Sequence, residues 1–232
     1  MDSAEVYRIT TIPSYILQKQ LDNYGSFITT HSMTATLTRD SRDFYLDPKT
    51  GSRNTAFVQY AGDPLGGDPN FVKSVADSAW YFPALWDTVF MMRGRIGIVR
   101  PLNELPVPTS DRFFVGGAGT VRGYGYGSLS PVEIAPDGMI YRIGGDKELI
   151  FNFEYTFPIV PAARLKGLLF YDMGRGFNDG EPIRTFQLRH SYGWGFWWLS
   201  PMGPLRFEWG YIVNQKPYDQ RNAFEFSMGA TF

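Results

Sequence analysis

Histidine, cysteine and clustered acids are where a chain would carry chemistry of its own, and here they are sparse. The two histidines, His31 and His190, lie far apart, and His190 falls on the apolar register of its stretch. Cysteine is absent, which excludes disulfides and thiol chemistry. No GxSxG elbow or HExxH helix occurs, and no residue set calls for a cofactor or a metal. Asp40, Asp43 and Asp47 make the densest acidic group, but they are interleaved with Arg39 and Arg42 and followed by Pro48 and Gly51. That is the pattern of an ion-paired turn, with an acid-based hydrolase site as the alternative. The remaining candidate is Asp111 to Gly127, DRFFVGGAGTVRGYGYG, a glycine-rich stretch around one central cation, Arg122. It suits neither helix nor strand and reads as a loop of fixed shape. GAGTVR lacks the third glycine and the following helix of a dinucleotide fingerprint, and GYG lacks the helices that flank a potassium filter. A partly buried arginine needs a carboxylate partner, so the elements around the loop decide what Arg122 can do.

Those elements read as strands. The chain has 232 residues, 17% of them aromatic, with 25 glycines and 16 prolines placed as turns between short periodic segments. One short amphipathic helix is expected over Pro13 to Asn23, capped by Gly25. From Ser32 the period becomes two, and nine strands follow: Ser32 to Thr38, Asn54 to Ala61, Phe71 to Phe82, Thr88 to Val99, Lys147 to Phe157, Arg164 to Met173, Thr185 to Leu199, Leu205 to Val213 and Asn222 to Phe232. The fifth is the clearest, with Leu149, Phe151, Phe153, Tyr155 and Phe157 facing one way and Glu148, Ile150, Asn152, Glu154 and Thr156 the other. In the sixth, Asp172 falls opposite Leu169, Tyr171 and Met173; in the eighth, Arg206 and Glu208 fall opposite Phe207 and Trp209. Arg93 and Arg95 share the inner register of the fourth strand, which would be costly in a dry core and is natural in a membrane barrel whose interior is wet.

No run of about 18 apolar residues offers a transmembrane helix. The strands have the length that crosses a bilayer when tilted, and short turns after the third, fifth and seventh alternate with longer polar loops after the fourth, sixth and eighth. Residues 100 to 146 form one long connection, the kind that is usually functional. The fold class is therefore all-β, a transmembrane antiparallel barrel rather than a soluble sandwich. Net charge of -1 without a basic block argues against a nucleic-acid partner. The first residues lack the basic and apolar regions of a signal peptide.

The motifs VRGYGYG, FYDMGRGF (Phe170 to Phe177), SPMGPLRFEWGY (Ser200 to Tyr211) and the closing FSMGATF, in this order, resemble the outer-membrane insertase superfamily, also described as the bacterial surface antigen family. The resemblance covers essentially the whole chain. It implies the C-terminal part, about nine strands, of a sixteen-strand barrel in the bacterial outer membrane, with residues 1 to 31 an extracellular segment and 32 to 232 the strands and luminal loop 100 to 146. It implies a non-enzymatic function, insertion of β-barrel proteins through a lateral seam; a secretion pore of the same superfamily is the alternative. The loop motif is Val121, Arg122, Gly123 and Tyr124, with Glu154 and Asp172 as the acids that dock it. Phe224, Phe226, Met228, Gly229 and Phe232 fall on the last strand, the implied assembly signal and seam. The implied partners are outer-membrane lipid, nascent outer-membrane barrels, assembly lipoproteins, and absent N-terminal strands or a second copy to close the sheet. An open sheet follows, with edges along Ser32 to Thr38 and Asn222 to Phe232.

Overall fold

The structure is a computed structural model and describes residues 15–25, 28–135, 138–217, 219 and 222–229, without the side chains of Leu17 and Asn222. Helix α1 (Tyr15–Tyr24) is followed by strands β1 (Ser32–Asp40), β2 (Gly51–Ala61), β3 (Phe71–Pro83) and β4 (Val89–Pro101). The long connection holds a small hairpin, β5 (Val132–Ile134) and β6 (Ile140–Arg142). The chain then continues through β7 (Lys147–Val160), β8 (Leu165–Phe177), β9 (Arg189–Ser200), β10 (Gly203–Ile212) and β11 (Asn222–Met228). Nine strands form one antiparallel sheet in the order β1-β2-β3-β4-β7-β8-β9-β10-β11. Each is the sequence neighbour of the next except where the loop with its hairpin intervenes, so the topology is a meander interrupted once.

From β7 to β10 the alternation seen in sequence is carried into burial with a single sense, while β1 is exposed along its length. On β9, Tyr192, Trp194, Phe196 and Trp198 are exposed while Ser191, Gly193, Gly195 and Trp197 between them are buried. On β7, Glu148, Ile150, Asn152 and Glu154 are buried and Tyr155 is exposed. The apolar face therefore looks outward and the polar face inward, the reverse of a soluble sheet and the arrangement that lipid on one side demands. Outward aromatics meet from strand to strand: Trp194 and Trp209 stack at 4.6 Å between centroids, and Phe207 with Phe226 at 5.1 Å and Trp209 with Phe224 at 5.0 Å pack at a tilt. Registers such as Trp194↔Trp209 and Phe207↔Phe226 put these rings directly opposite one another, where cross-strand pairs contribute most.

At one end the links are short: 84–88 after β3, 161–164 after β7 and 201–202 after β9. The turn 41–50 lies at the same end and is longer. Asp43 accepts hydrogen bonds from the backbone N–H groups of Lys49 and Thr50, Arg42 pairs with Asp40 at 2.8 Å, and Asp47 reaches Lys166 of β8 at 2.5 Å. The Asp40–Asp47 cluster is thus an ion-paired turn that crosses the mouth of the sheet. At the opposite end α1 lies over the long loop. Glu133 of β5 accepts the backbone N–H groups of Tyr15 and Ile16, and the Tyr24 hydroxyl donates to the Pro106 carbonyl at 3.1 Å.

Several expected boundaries shift. The helix is described from Tyr15 to Tyr24, ending on Gly25 at φ 75°, and Pro13 lies outside the described residues. The seventh sheet strand begins at Arg189 because Thr185–Gln187 closes into a 3-10 turn and Leu188 tucks against Leu149 and Phe177. The loop, expected to lack regular structure, contains β5 and β6, each too short to show a period. The last strand is described to Met228, and Phe232 lies outside the described residues.

Candidate functional site: the loop docked on the inner wall

Arg122 is the side chain around which the inner face closes. It is 1% exposed, and its partners come from three strands that sequence places up to 86 residues away. Its Nε donates to Asp172 Oδ2 at 2.7 Å and its Nη2 to Asp172 Oδ1 at 2.8 Å, a bidentate clasp. The backbone N–H of Arg122 donates to the same carboxylate at 3.0 Å. Nη1 donates to Glu154 Oε2 and to Glu208 Oε1, both at 2.7 Å. The guanidinium carbon also lies 3.8 Å from the centroid of the Phe170 ring, a cation–π contact in a dry setting. Arg206 enters the same network from β10, donating to Glu154 at 2.5 Å and Glu208 at 2.8 Å. Each of the two guanidiniums and three carboxylates thus has an opposite charge within hydrogen-bond reach, where a single buried charge would cost several kcal/mol.

The rest of the motif is seated by shape. Val121 is fully buried and packs with Val115, Tyr124, Leu129 and Ile150. It lies over Gly174, where a Cβ would meet its Cγ2 at 2.8 Å. Gly123 has φ 87° and rests on Gly210 of β10; a Cβ on Gly210 would come within 2.5 Å of the Gly123 backbone. Tyr124 is buried, with its hydroxyl donating to the His190 carbonyl at 3.2 Å. Strand donors hold the loop backbone as well: Arg93 Nη1 reaches the Gly119 carbonyl at 2.9 Å and Asn152 Nδ2 the Thr120 carbonyl at 2.7 Å. Glu225 of β11 accepts the Gly123 N–H at 3.0 Å. At the outer end of the loop Arg112 clasps Asp146 at 2.9 and 3.1 Å. Burial pushes the Asp146 carboxyl above its ordinary range, and the Arg112 charge pulls it back only in part. With partners on β4, β7, β8, β10 and β11, the loop is wrapped by the sheet.

The structure brings Val121, Arg122, Gly123 and Tyr124 together with Glu154 and Asp172. Sequence reasoning did not single out Glu208, Arg206, Asn152, Arg93 or Glu225 for this site. The signal was partial: alternation puts Arg206 and Glu208 on the inner face, yet their convergence on Arg122 depends on sheet curvature. Phe224, Phe226 and Met228 are exposed on the outer face of β11, and Gly229 follows at φ 106°. They lie apart from the docked motif, on the edge of the sheet. His190 is on the outer face too, with Nδ1 2.8 Å from the Tyr171 hydroxyl.

The close approach at Gly210 makes a direct prediction. Gly210→Ala is expected to destabilise the docked protein by about 1–3 kcal/mol, the usual cost of overpacking. Protease sensitivity within residues 111–127 should rise with it; an unchanged digestion pattern and midpoint would mean that the loop backbone does not sit on Gly210.

Comparison with known proteins agrees with this architecture. The Omp85 superfamily domain matches residues 3–232. The chain belongs to the Omp85 superfamily. Outer membrane protein assembly factor BamA from Nitratidesulfovibrio vulgaris Hildenborough is 33% identical over 198 residues, covering 84% of this chain and 25% of that protein. BamA from Neisseria meningitidis serogroup B is 29% identical over 195 residues, covering 72% of this chain and 24% of that protein. A crystal structure of BamA from Haemophilus ducreyi lacking POTRA domains 1-3 shares the fold at TM-score 0.80 and 19% identity, covering 95% of this chain and 48% of that one. This Omp85 chain therefore spans about a quarter of the length of the curated relatives it matches. It is an outer-membrane protein whose sheet is open along β1 and β11, which do not pair with each other among the described residues.

Proposed function

We propose that this chain is the loop-bearing and seam-bearing part of an outer-membrane insertase, which folds and inserts β-barrel proteins without chemistry of its own. The observation that carries the reading is β11. Among the described residues it pairs as a strand with β10 alone, so the backbone of its other edge presents N–H and C=O groups without a ladder partner at membrane depth. In hydrocarbon such an edge costs several kcal/mol per unsatisfied group and seeks a strand. Pairing with an incoming strand is β-augmentation, in which backbone groups supply affinity and side-chain fit supplies selection. Strands from outside this chain, or a second copy, would occupy the edges between clients. Assembly lipoproteins and outer-membrane lipid complete the partner set. The fixed parts serve this by holding the wall rigid: the docked loop ties β4, β7, β8, β10 and β11 to one buried arginine motif. A secretion pore would instead need a lumen that the loop vacates.

The test is site-specific photo-cross-linking in the complete protein, reconstituted in vesicles with a nascent barrel client. Probes at Phe226 and Met228 are expected to capture the client during insertion, while a probe at Leu37 on β1 serves as comparison. Insertion that proceeds without client capture at Phe226 and Met228 would overturn the proposal. Ion conductance that rises with client, through a vacated lumen, would point to the pore.

A further inference from the structure

We infer that the acidic pair Glu208 and Glu225 makes the pairing of β11 depend on whether the loop is docked. The inference rests on the seam reading of β11 given above. Glu208 of β10 and Glu225 of β11 are direct cross-strand partners on the inner face. Like charges directly opposite one another work against strand pairing, and more so away from water. Each carboxylate accepts one hydrogen bond from one of two consecutive residues of the loop. Arg122 Nη1 donates to Glu208 Oε1 at 2.7 Å, and the Gly123 N–H donates to Glu225 Oε1 at 3.0 Å. Arg206 gives Glu208 a second donor from its own strand at 2.8 Å. Glu225 has no such reserve in the described wall: its Oε2 is buried without a hydrogen-bond partner among the described residues.

Withdrawing the loop therefore acts on one strand pair in two ways. Glu225 loses its donor, and Glu208 loses the nearer share of its positive charge, so the two carboxylates face each other across β10–β11. Because β11 has a partner strand on one side only among the described residues, the loss falls on the strand of this chain with least to hold it. Coupling of this kind is reciprocal, so a client strand that draws β11 away also loosens the loop. Glu225 is a positioning residue here: it touches the loop backbone and sets the hold on the edge strand.

Amide hydrogen exchange of the complete protein in lipid nanodiscs tests this, read over residues 222–229 with β8 as internal reference. Glu225→Ala is expected to speed exchange in that segment about tenfold, by loss of a charge-assisted hydrogen bond. Glu225→Gln keeps an oxygen for the Gly123 N–H and removes the repulsion, so its exchange should not exceed the parent's. Arg122→Ala should also speed exchange, and adding Glu225→Gln to it should slow exchange again. The inference fails if Glu225→Gln exchanges as fast as Glu225→Ala, or if the double variant is no slower than Arg122→Ala. The two single substitutions at Glu225 decide the matter should Arg122→Ala not fold. Client insertion measured in parallel separates the two readings: faster exchange in Glu225→Ala with unaltered insertion would leave the coupling standing and remove the seam function.

Discussion

Asp172→Ala is expected to cost the folded protein about 3–5 kcal/mol, the range for removing one partner of a buried ion pair. Asp172 is fully buried and accepts three hydrogen bonds from one residue, the Nε, Nη2 and backbone N–H of Arg122. Alanine would leave the guanidinium in the same dry site with its Nη1 still bound to Glu154 and Glu208, but without the two-toothed acceptor that fixes its plane. The penalty is mostly that of a desolvated charge left short of partners, so Asp172→Asn should fall between the parent and alanine. Lys49 and Asp87 supply the contrast. They pair at 2.6 Å, shorter than the Arg122 contacts, yet their side chains are 43% and 58% exposed. Breaking that pair is expected to cost less than about 1 kcal/mol, because water already screens both ions. Equilibrium urea unfolding in vesicles would check the two together. Equal, small losses at both positions would mean that burial does not set the worth of the Arg122 clasp.

The strands were legible because two different media enforce a period of two. Lipid outside selects Leu169, Trp194 and Phe224, and the docked loop inside selects Asn152, Asp172 and Glu208, so a strand lying between the two carries its register twice. Boundaries were less legible, since the same residue types continue past the last hydrogen bond. Val89 to Pro101 and Lys147 to Val160 each run beyond the expected stretch, and Thr185–Gln187 reads as strand while folding as a turn. At the site, alternation placed Glu154 and Asp172 inward, whereas the meeting of Arg206, Glu208 and Glu225 around one loop is a consequence of curvature that no single strand records. Gly174 and Gly210 carry a further signal in the sequence. Glycine inside a strand marks a close backbone approach, and both lie under the VRG residues.

Phe153→Arg tests the outer face, and the expected cost is about 2–4 kcal/mol near the bilayer midplane. Phe153 lies in the middle of β7, paired with Met92 on one side and Tyr171 on the other, and its ring is 6.4 Å from that of Phe90. Its neighbours Asn152 and Glu154 point the other way, into the docked loop, so the substitution leaves the Arg122 network in place. Arginine there must either enter hydrocarbon or snorkel to an interface, and the middle of a strand is the longest reach. Position should therefore grade the cost: the same change at Ile159, near the short-turn end of β7, should fall to about 0–1 kcal/mol. A soluble sheet packed against protein would show no such gradient with depth. Folding yield into vesicles and urea midpoints for the two variants decide between them. Equal penalties at Phe153 and Ile159, or none at either, would mean that this face does not meet lipid.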